Sequence, residues 1–216
     1  MCGRFSRTSP AEVIVEEFGV TSVAAVDLAP RYNVCPGDRV AAVIESPEGR
    51  RLGALHWGLG ARGQINVRSE TVARHPAFRE AFARRRCLVV ADGFFEWARE
   101  ASGKAPYYFR LASGKPFAFA GIWSRPDTRV GPPGTAILTC PANEVVSAVH
   151  DRMPVVLSGE ACERWLAEGG LELLRPFPAP AMESHAVSPL VNSTRNDSPE
   201  CIRPAGGTLR LVPRPA

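Results

Sequence analysis

Five apolar runs in the middle of the chain constrain its fold more than any other feature. Each run is shorter than a typical helix and has the usual length of a β-strand. Gly, Pro and Ser turns separate the runs, which cover residues 87–91, 94–97, 107–111, 117–123 and 135–140. Short turns join neighbouring strands in antiparallel order. The pattern predicts an α+β fold with a largely antiparallel or mixed β-sheet, or a barrel-like core.

Short helices are predicted to flank this sheet. Ser9 is expected to cap the first helix, with Pro10 at its first position and Gly19 at its end. A second helix is expected to start with Pro76 at its first position. Two more are expected, from Asn143 to near residue 150 and from residue 158 to 169. Further strand segments are predicted at 39–44, 51–57, 154–157, 185–188 and 208–212.

Length and composition indicate one ordinary domain. The chain has 216 residues, of which 45% are hydrophobic and 22% charged, with a net charge of +4. A chain of this size buries enough surface to fold without disulfides or metals. We predict a single domain over residues 1–216, with the Pro-rich part 175–216 packed on it or trailing from it. No apolar run is long enough for a bilayer and no signal peptide is recognisable, so a cytoplasmic protein is expected.

The cysteines argue against metal binding and disulfides. The six lie at positions 2, 35, 87, 140, 162 and 201, without a CxxC pair or a nearby His that would complete a zinc motif. Widely spaced cysteines of this kind are typical of buried thiols in a reducing compartment. No metal and no cofactor are therefore predicted.

The N-terminus is the best candidate for a reactive amine. Only Lys104 and Lys115 are lysines, and both lie in Ser-Gly-Lys turns, where a buried Schiff-base amine is not expected. Removal of Met1 would leave Cys2 with a free α-amine and a thiol on adjacent carbons. An α-amine has a pKa of about 7.7–8.0 against roughly 10.4 for lysine, so more of it is neutral and nucleophilic.

Glu96 is the first of several polar residues in apolar surroundings. It lies between Phe95 and Trp97. Partial burial would raise its pKa toward the range of a general acid or base. Strand alternation offers the alternative that Glu96 points to solvent while its two aromatic neighbours point inward. The segment by itself favours neither interpretation.

His150, Asn66 and Arg68 also admit two interpretations each. His150, between a predicted helix and a strand, could transfer protons near neutral pH or form a structural hydrogen bond. Asn66 could orient an amine or a sugar, and Arg68 could bind phosphate. A turn asparagine and a surface arginine are the more common outcomes. From these residues alone the structural interpretations are favoured.

Six segments in a fixed order change that balance. They cover residues 1–5, 31–36, 57–59, 66–71, 86–97 and 150–154, and read MCGRF, RYNVCP, WGL, NVRSET, RCLVVADGFFEW and HDRMP. In this order they resemble the SRAP family (SOS response-associated peptidase-like proteins). The resemblance extends from residue 2 to about residue 192. It implies an SRAP-like domain and a role in the DNA damage response.

The resemblance also implies an activity and a set of site residues. Family members capture abasic sites in single-stranded DNA covalently, by a thiazolidine formed at the N-terminal cysteine. By motif position Cys2 is the nucleophile after Met1 removal, and its implied catalytic partners are Asn66, Glu96 and His150. The implied DNA-binding residues are Arg4, Asn33, Pro36, Arg68 and Arg152. The expected partner is abasic single-stranded DNA, bound by a monomeric cytoplasmic protein that joins the nucleoid with its substrate.

Two other functions stay open at this point. One is a thiol peptidase, or an autopeptidase that removes Met1, and the other is a non-covalent binder of single-stranded DNA. Lyase-like chemistry accompanies the abasic-site interpretation. One segment departs from the family: residues 60–64 are short and contain no aromatic residue, which leaves open how bases are stacked there. Val67 stands where the family usually has Ala.

Overall fold

The described chain is built mainly from β-strands. The computed structural model describes residues 2–100, 103–126 and 133–205, and these ranges contain fourteen strands and five α-helices. The strands are β1 (Phe5–Arg7), β2 (Ser22–Val23), β3 (Arg31–Val34), β4 (Arg39–Ser46), β5 (Gly49–Trp57), β6 (Asn66–Arg68), β7 (Arg86–Ala91), β8 (Gly93–Glu100), β9 (Gly103–Leu111), β10 (Phe117–Trp123), β11 (Gly134–Pro141), β12 (Arg152–Pro154), β13 (Val156–Leu157) and β14 (Met182–Ala186). The helices are α1 (Ala11–Glu17), α2 (Ser69–Val72), α3 (Arg79–Arg84), α4 (Glu144–Ser147) and α5 (Glu160–Ala167).

The larger sheet closes into a barrel. Its strands β11, β10, β7, β4 and β5 pair in that order, and all four pairings are antiparallel. A parallel pairing of β5 with β11, with His56 opposite Gly134, completes the ring. Closure removes the unpaired edges of these strands. The predicted α+β fold with a mixed, barrel-like core is confirmed.

A second sheet of five strands packs against the barrel in the order β14-β9-β8-β1-β3. Phe119 of β10 joins the two sheets, because its ring lies 5.4 Å from that of Phe5 in β1 and 6.2 Å from that of Phe94 in β8. All three rings are buried. The two sheets therefore share one hydrophobic core, and β1 carries the start of the chain into it.

The Pro-rich part packs on the outer face of the second sheet as far as it is described. Its strand β14 pairs with β9, although it begins at Met182, three residues before the predicted segment. Val191 and Cys201 are buried in a small cluster with Phe95 and Tyr108. The predicted strand at 208–212 lies outside the described residues. Both faces of β8 are thus covered, one by the barrel and one by the C-terminal residues.

The predicted cap of the first helix is wrong. Pro10, not Ser9, is the N-cap residue of α1, and no side chain caps the helix. The Ser9 hydroxyl instead donates to Asp92, whose carboxylate also accepts from the backbone N–H groups of Thr8 and Ser9. A carboxylate that can accept three hydrogen bonds competes successfully for a hydroxyl that would otherwise cap the helix. Gly19, with φ 58°, follows the helix end as predicted.

The other helix boundaries agree with the sequence to different degrees. α3 begins at Arg79, so the prediction of Pro76 at its first position is wrong. The residues between form a turn in which the Phe78 N–H donates to the His75 carbonyl at 3.0 Å. The cap of α4 is confirmed, since the Asn143 side chain accepts from the backbone of Val146. None of the helices in the described ranges combines the length and apolar character that crossing a membrane requires.

Candidate active site around Cys2

Cys2 lies in the interior, immediately before β1. Its side chain is fully buried. The Phe95 N–H donates to the Arg4 carbonyl at 3.0 Å, which continues the antiparallel register of β1 and β8 toward the start of the chain. That register brings the first residues alongside Glu96. The pairing of β1 with β8 is thus what places residue 2 next to the carboxylate.

Asn66 reaches Cys2 from the barrel. Its Nδ2 donates to the Cys2 carbonyl at 2.7 Å. β6 holds Asn66 in place through a parallel pairing with β11, in which Asn66 lies opposite Ile137. The Asn66 side chain is buried, and its Oδ1 has no hydrogen-bond partner within the described part of the chain. The structure therefore brings together two residues that are 64 positions apart in sequence, as the resemblance implied.

Glu96 is buried, so the solvent-facing interpretation is wrong. It is only 3% exposed, and burial raises the pKa of its carboxyl from an ordinary 4.5 to about 7. Phe95 points to the other face of β8 and packs in the C-terminal cluster. Because both faces of β8 are covered, the alternation of side chains does not separate buried from exposed residues here. A carboxyl with a pKa near neutrality can both accept and donate a proton.

The Cys2 thiol is neutral in this setting. Burial raises its pKa far above the ordinary value of 9.0, and the negative charge of Glu96 raises it further. The thiol points toward the Arg4 carbonyl, with Sγ 3.8 Å from the oxygen. A thiol of this kind is a poor nucleophile until a base removes its proton. Glu96 is the acidic side chain whose charge acts on it.

His150 lies between α4 and β12, with its side chain 29% exposed. Its Nδ1 accepts a hydrogen bond from the Arg152 N–H at 2.9 Å, and Asp151 Oδ1 lies 2.9 Å from the same nitrogen. Burial lowers the pKa of the imidazole, and nearby charges modify that shift. A neutral ring that accepts the hydrogen bond from Arg152 carries its proton on Nε2 and can donate it there, whereas the Asp151 carboxylate favours a proton on Nδ1.

Arg4 is held by the protein from two sides. Its Nη1 donates to Asn33 Oδ1 at 2.9 Å and to the Val191 carbonyl at 2.7 Å. Its guanidinium lies 5.9 Å from the centre of the Trp97 ring. Trp97 is itself fixed by a hydrogen bond from Nε1 to Asn192 Oδ1 at 2.7 Å. The resemblance covers Trp97 and Asn192 but assigned neither a role in the site, and their contacts reveal one.

Asn33 ties the C-terminal residues to the site. Its Nδ2 lies within hydrogen-bond distance of the carbonyls of Val191, Ser193 and Asn196. Its backbone N–H donates to Asp197 at 2.9 Å. The side chain is 1% exposed. The amide is therefore engaged within the protein, and its role as a DNA contact stays a prediction.

Replacing Asn33 by Ala is expected to destabilise the fold. The carbonyls of residues 191–196 would lose their buried donor, at a cost of about 1–3 kcal/mol. For a chain of this size we expect the melting temperature to fall by roughly 2–10 °C. Thermal denaturation followed by circular dichroism measures the shift. Pro36→Ala is the control, since Pro36 belongs to the same motif and is exposed. An unchanged melting temperature for Asn33→Ala would contradict the structural role.

Arg152 is paired with an acid that sequence reasoning did not assign to the site. Its guanidinium binds both carboxylate oxygens of Glu70 and the carbonyl of Thr139. This hydrogen bonding lowers the pKa of Glu70 to about 2. Arg68 and Pro36, by contrast, are exposed. Of the predicted DNA-binding residues, these two present their side chains to solvent.

A groove of about 510 Å³ lies beside the site and shares Asn66 with it. One wall is the segment that follows Trp57, and the other is the turn before α3. Its lining residues are Leu59, Gly60, Ala61, Arg62, Gln64, Asn66, Val67, Arg68, Thr71, His75, Ala77 and Phe78. Across the described ranges, no three His, Cys, Asp or Glu side chains are grouped closely enough to hold a metal ion. The site is thus a cleft of neutral and basic side chains next to a buried acid.

Comparisons with known proteins agree on one family. The model of the family described as SOS response associated peptidase (SRAP) matches residues 1–194. The abasic site processing protein YoqW of Bacillus subtilis is 37% identical over 221 residues, which cover 94% of this chain and 99% of YoqW. YedK of Escherichia coli, which carries the same description, is 32% identical and the alignment covers 94% of this chain and 100% of YedK.

A crystal structure gives the same result for the fold. A protein from Bacteroides thetaiotaomicron superposes with a TM-score of 0.80 at 25% identity, over 94% of this chain and 100% of that one. Sequence and fold are therefore similar to the same group of proteins over nearly all of the described residues. The chain belongs to the SOS response associated peptidase (SRAP) family.

Proposed function

We propose that this protein recognises abasic sites in single-stranded DNA and captures them covalently through Cys2 after Met1 is removed. The observation that carries the proposal is the junction of Cys2, Asn66 and Glu96. There, an N-terminal aminothiol would lie beside a carboxyl with a pKa of about 7. Relatives that are 32–37% identical are described as abasic site processing proteins. This description supports the substrate class.

The chemistry starts at the nitrogen. The free α-amine of Cys2 attacks the C1′ aldehyde of the ring-opened sugar, and loss of water gives an imine. The Cys2 sulfur then adds to the imine carbon while its proton ends on the nitrogen, which closes a five-membered thiazolidine. Atoms balance with water as the sole by-product, and no oxidant or reductant is needed. Because amine and thiol belong to one residue, the second step is intramolecular and fast.

The electrostatics of the site favour this order of steps. Since the Cys2 thiol is neutral, it is a weak first nucleophile. A neutral amine near physiological pH is better suited to the first attack. Glu96 as carboxylic acid can donate a proton to the departing water when the imine forms, and as carboxylate it can then accept the thiol proton and return it to the nitrogen. His150, with its proton on Nε2, is assigned to the sugar oxygen during ring opening.

The arginines would hold the DNA backbone. Arg68 is exposed at the edge of the groove and is free of ion pairs among the described residues, so it can bind a phosphate directly. Arg4 and Arg152 already bind protein oxygens. A phosphate at either position would compete with or add to those bonds. Backbone contacts of this kind bind single strands without sequence preference and weaken with salt.

Peptidase activity is the second candidate, because the family description contains the word. In a minimal version the site would remove its own Met1. Cleavage of other peptides by a general thiol mechanism requires an accessible thiolate. The buried, neutral Cys2 thiol does not meet that requirement. Abasic-site capture with lyase-like chemistry is therefore the function that the geometry supports better.

A denaturing gel tests the proposal directly. Protein whose intact mass shows loss of Met1 is incubated with labelled single-stranded DNA that carries one abasic site, heated and separated. A shifted, heat-stable band is expected, and none is expected with the same oligonucleotide before its abasic site is generated. Protein with one added residue ahead of Cys2 should give no band, because its α-amine is blocked. A strong band from that extended protein would contradict the mechanism.

A further inference from the structure

We propose that the groove next to Cys2 binds the nucleobase that neighbours the abasic site, stacked on the imidazole ring of His75. The inference rests on the proposed function, since it assigns a binding place to DNA that Cys2 would capture. His75 supplies an aromatic surface on one wall of the groove. Residues 60–64, on the opposite wall, contain no aromatic residue. The structure provides four observations for it.

The first observation is the position of the groove. Asn66 lines it and also donates to the Cys2 carbonyl at 2.7 Å. DNA whose sugar reaches Cys2 would therefore lie next to a residue that lines this groove. Its volume of about 510 Å³ exceeds what one nucleobase fills. A nucleotide next to the captured sugar can enter without a change of the barrel.

The second observation is a fixed, exposed ring. His75 stacks on Phe78 with ring centres 4.6 Å apart and planes 25° from parallel. The Ala77 N–H donates to the imidazole Nδ1 of His75 at 3.2 Å, and the backbone N–H of His75 donates to the Thr71 carbonyl at 2.9 Å. Phe78 packs against the main core, while His75 is exposed. The imidazole is thus held in place from below and leaves one face open for a base.

The third observation is charge. Arg62 and Arg68 line the groove, and both are exposed. None of the described residues that line it is acidic. The carboxylate of nearby Glu70 is bound to Arg152 and does not line the groove. A basic groove with an aromatic ring combines backbone attraction with base stacking, the combination that binds single-stranded nucleic acid.

The fourth observation is the unsatisfied oxygen of Asn66. Its Oδ1 is buried and has no hydrogen-bond partner among the described residues, although Asn66 is only 4% exposed. A buried polar oxygen without a donor is costly unless a ligand completes it. Because Asn66 lines the groove, a donor on the bound nucleotide could do so. The groove thus has a buried acceptor without a donor on one lining residue and an exposed aromatic ring on another.

Two measurements test the proposal. In the first, the abasic oligonucleotide carries 2-aminopurine on one side of a stable tetrahydrofuran abasic analogue, which cannot be crosslinked. Stacking on His75 should quench the fluorescence of the base on one side of the site in the unchanged protein but not in His75→Ala. His75→Phe should restore the quenching, whereas His75→Lys, which keeps a cation without a ring, should not. Unchanged quenching in His75→Ala would overturn the proposal.

In the second measurement the initial rate of crosslinking is followed at limiting DNA. Replacing the neighbouring nucleotide by the tetrahydrofuran analogue, which removes its base without creating a second aldehyde, should slow the unchanged protein about tenfold, whereas His75→Ala should be slow with either DNA. Equal slowing of both proteins by base removal would also overturn the proposal. If no crosslink forms with any protein, the proposed function fails, while the fluorescence result still decides whether a base stacks on His75. Circular dichroism confirms that each variant is folded.

Discussion

Replacing Cys2 by Ala is expected to abolish the heat-stable product with abasic single-stranded DNA. The variant keeps the α-amine, so it can still form an imine, but it has no sulfur to close the ring. Imines hydrolyse, and the loss of the intramolecular step removes an advantage on the order of 100-fold or more. The measurement is a denaturing gel of wild type and Cys2→Ala, run with and without borohydride reduction.

Borohydride separates the two chemical steps of this prediction. Reduction should trap the imine and restore a band for Cys2→Ala, since the amine is unchanged. Cys162→Ala is the matched control, because Cys162 is also a buried thiol but lies in α5. It should crosslink like the wild type. A heat-stable band from Cys2→Ala without reductant would show that sulfur is not part of the product and would refute the thiazolidine mechanism.

Replacing Glu96 by Gln is expected to slow crosslinking by about 100-fold or more, the usual contribution of a general acid or base. Glutamine keeps the size of the side chain but cannot take the thiol proton. The rate advantage of the wild type should increase as pH rises through about 7, where Glu96 becomes a carboxylate, and then level off. Rates measured from pH 5.5 to 8.5 for both proteins give this ratio.

Glu96→Gln is expected to slow the reaction, but it should also make the stability of the fold less sensitive to rising pH. The folded-state pKa of Glu96 is raised, so the native state binds more protons than the unfolded chain between about pH 4.5 and pH 7. Wild-type stability therefore falls as pH rises through that window, and Glu96→Gln should escape this fall. Its melting temperature should gain on the wild type between pH 5 and pH 8.

Glu100→Gln is the control for both effects, since Glu100 ends the same strand and is exposed. It should react at the wild-type rate and show no comparable change of stability with pH. A Glu96→Gln variant with wild-type kinetics would remove Glu96 from the mechanism. A slow variant that also melts far below the wild type at pH 8 would contradict the burial argument.

The central strands were predictable from local sequence because their signals are local. The five apolar runs correspond to β7 through β11, with ends that differ by only a few residues. Their lengths and turns are properties of neighbouring residues. The predicted helix starts were less reliable. Ser9 and Pro76 occupy sequence positions typical of a helix start, but Ser9 bonds to Asp92 and Pro76 lies in the turn before α3. Asp92, 83 positions away, takes the Ser9 hydroxyl, and no local pattern indicates that contact.

The proximity of two predicted site residues is visible in the structure, whereas their predicted roles stay predictions. Ordered motifs pointed to Cys2, Asn66 and Glu96, and the structure brings Cys2 and Asn66 into contact beside the charge of Glu96. The amide of Asn33 is bonded to the C-terminal carbonyls, a contact that its motif did not indicate, and its role as a DNA contact stays a prediction. The structural contact depends on the position of residues 191–197, which are far from Asn33 in sequence.

The sequence alone determined which amines the chain offers, namely two lysines in Ser-Gly-Lys segments and the α-amine that removal of Met1 would place beside the Cys2 thiol. Tertiary structure decided how those atoms behave. Cys2 lies just before β1, Asn66 lies in β6 and Glu96 in β8, and the pKa of Glu96 depends on the burial that their packing creates. The same tertiary packing places the stacked rings of His75 and Phe78 in the lining of the groove. The pKa of Glu96 and the placement of the two rings depend on contacts between segments far apart in sequence, so no short window of sequence shows them.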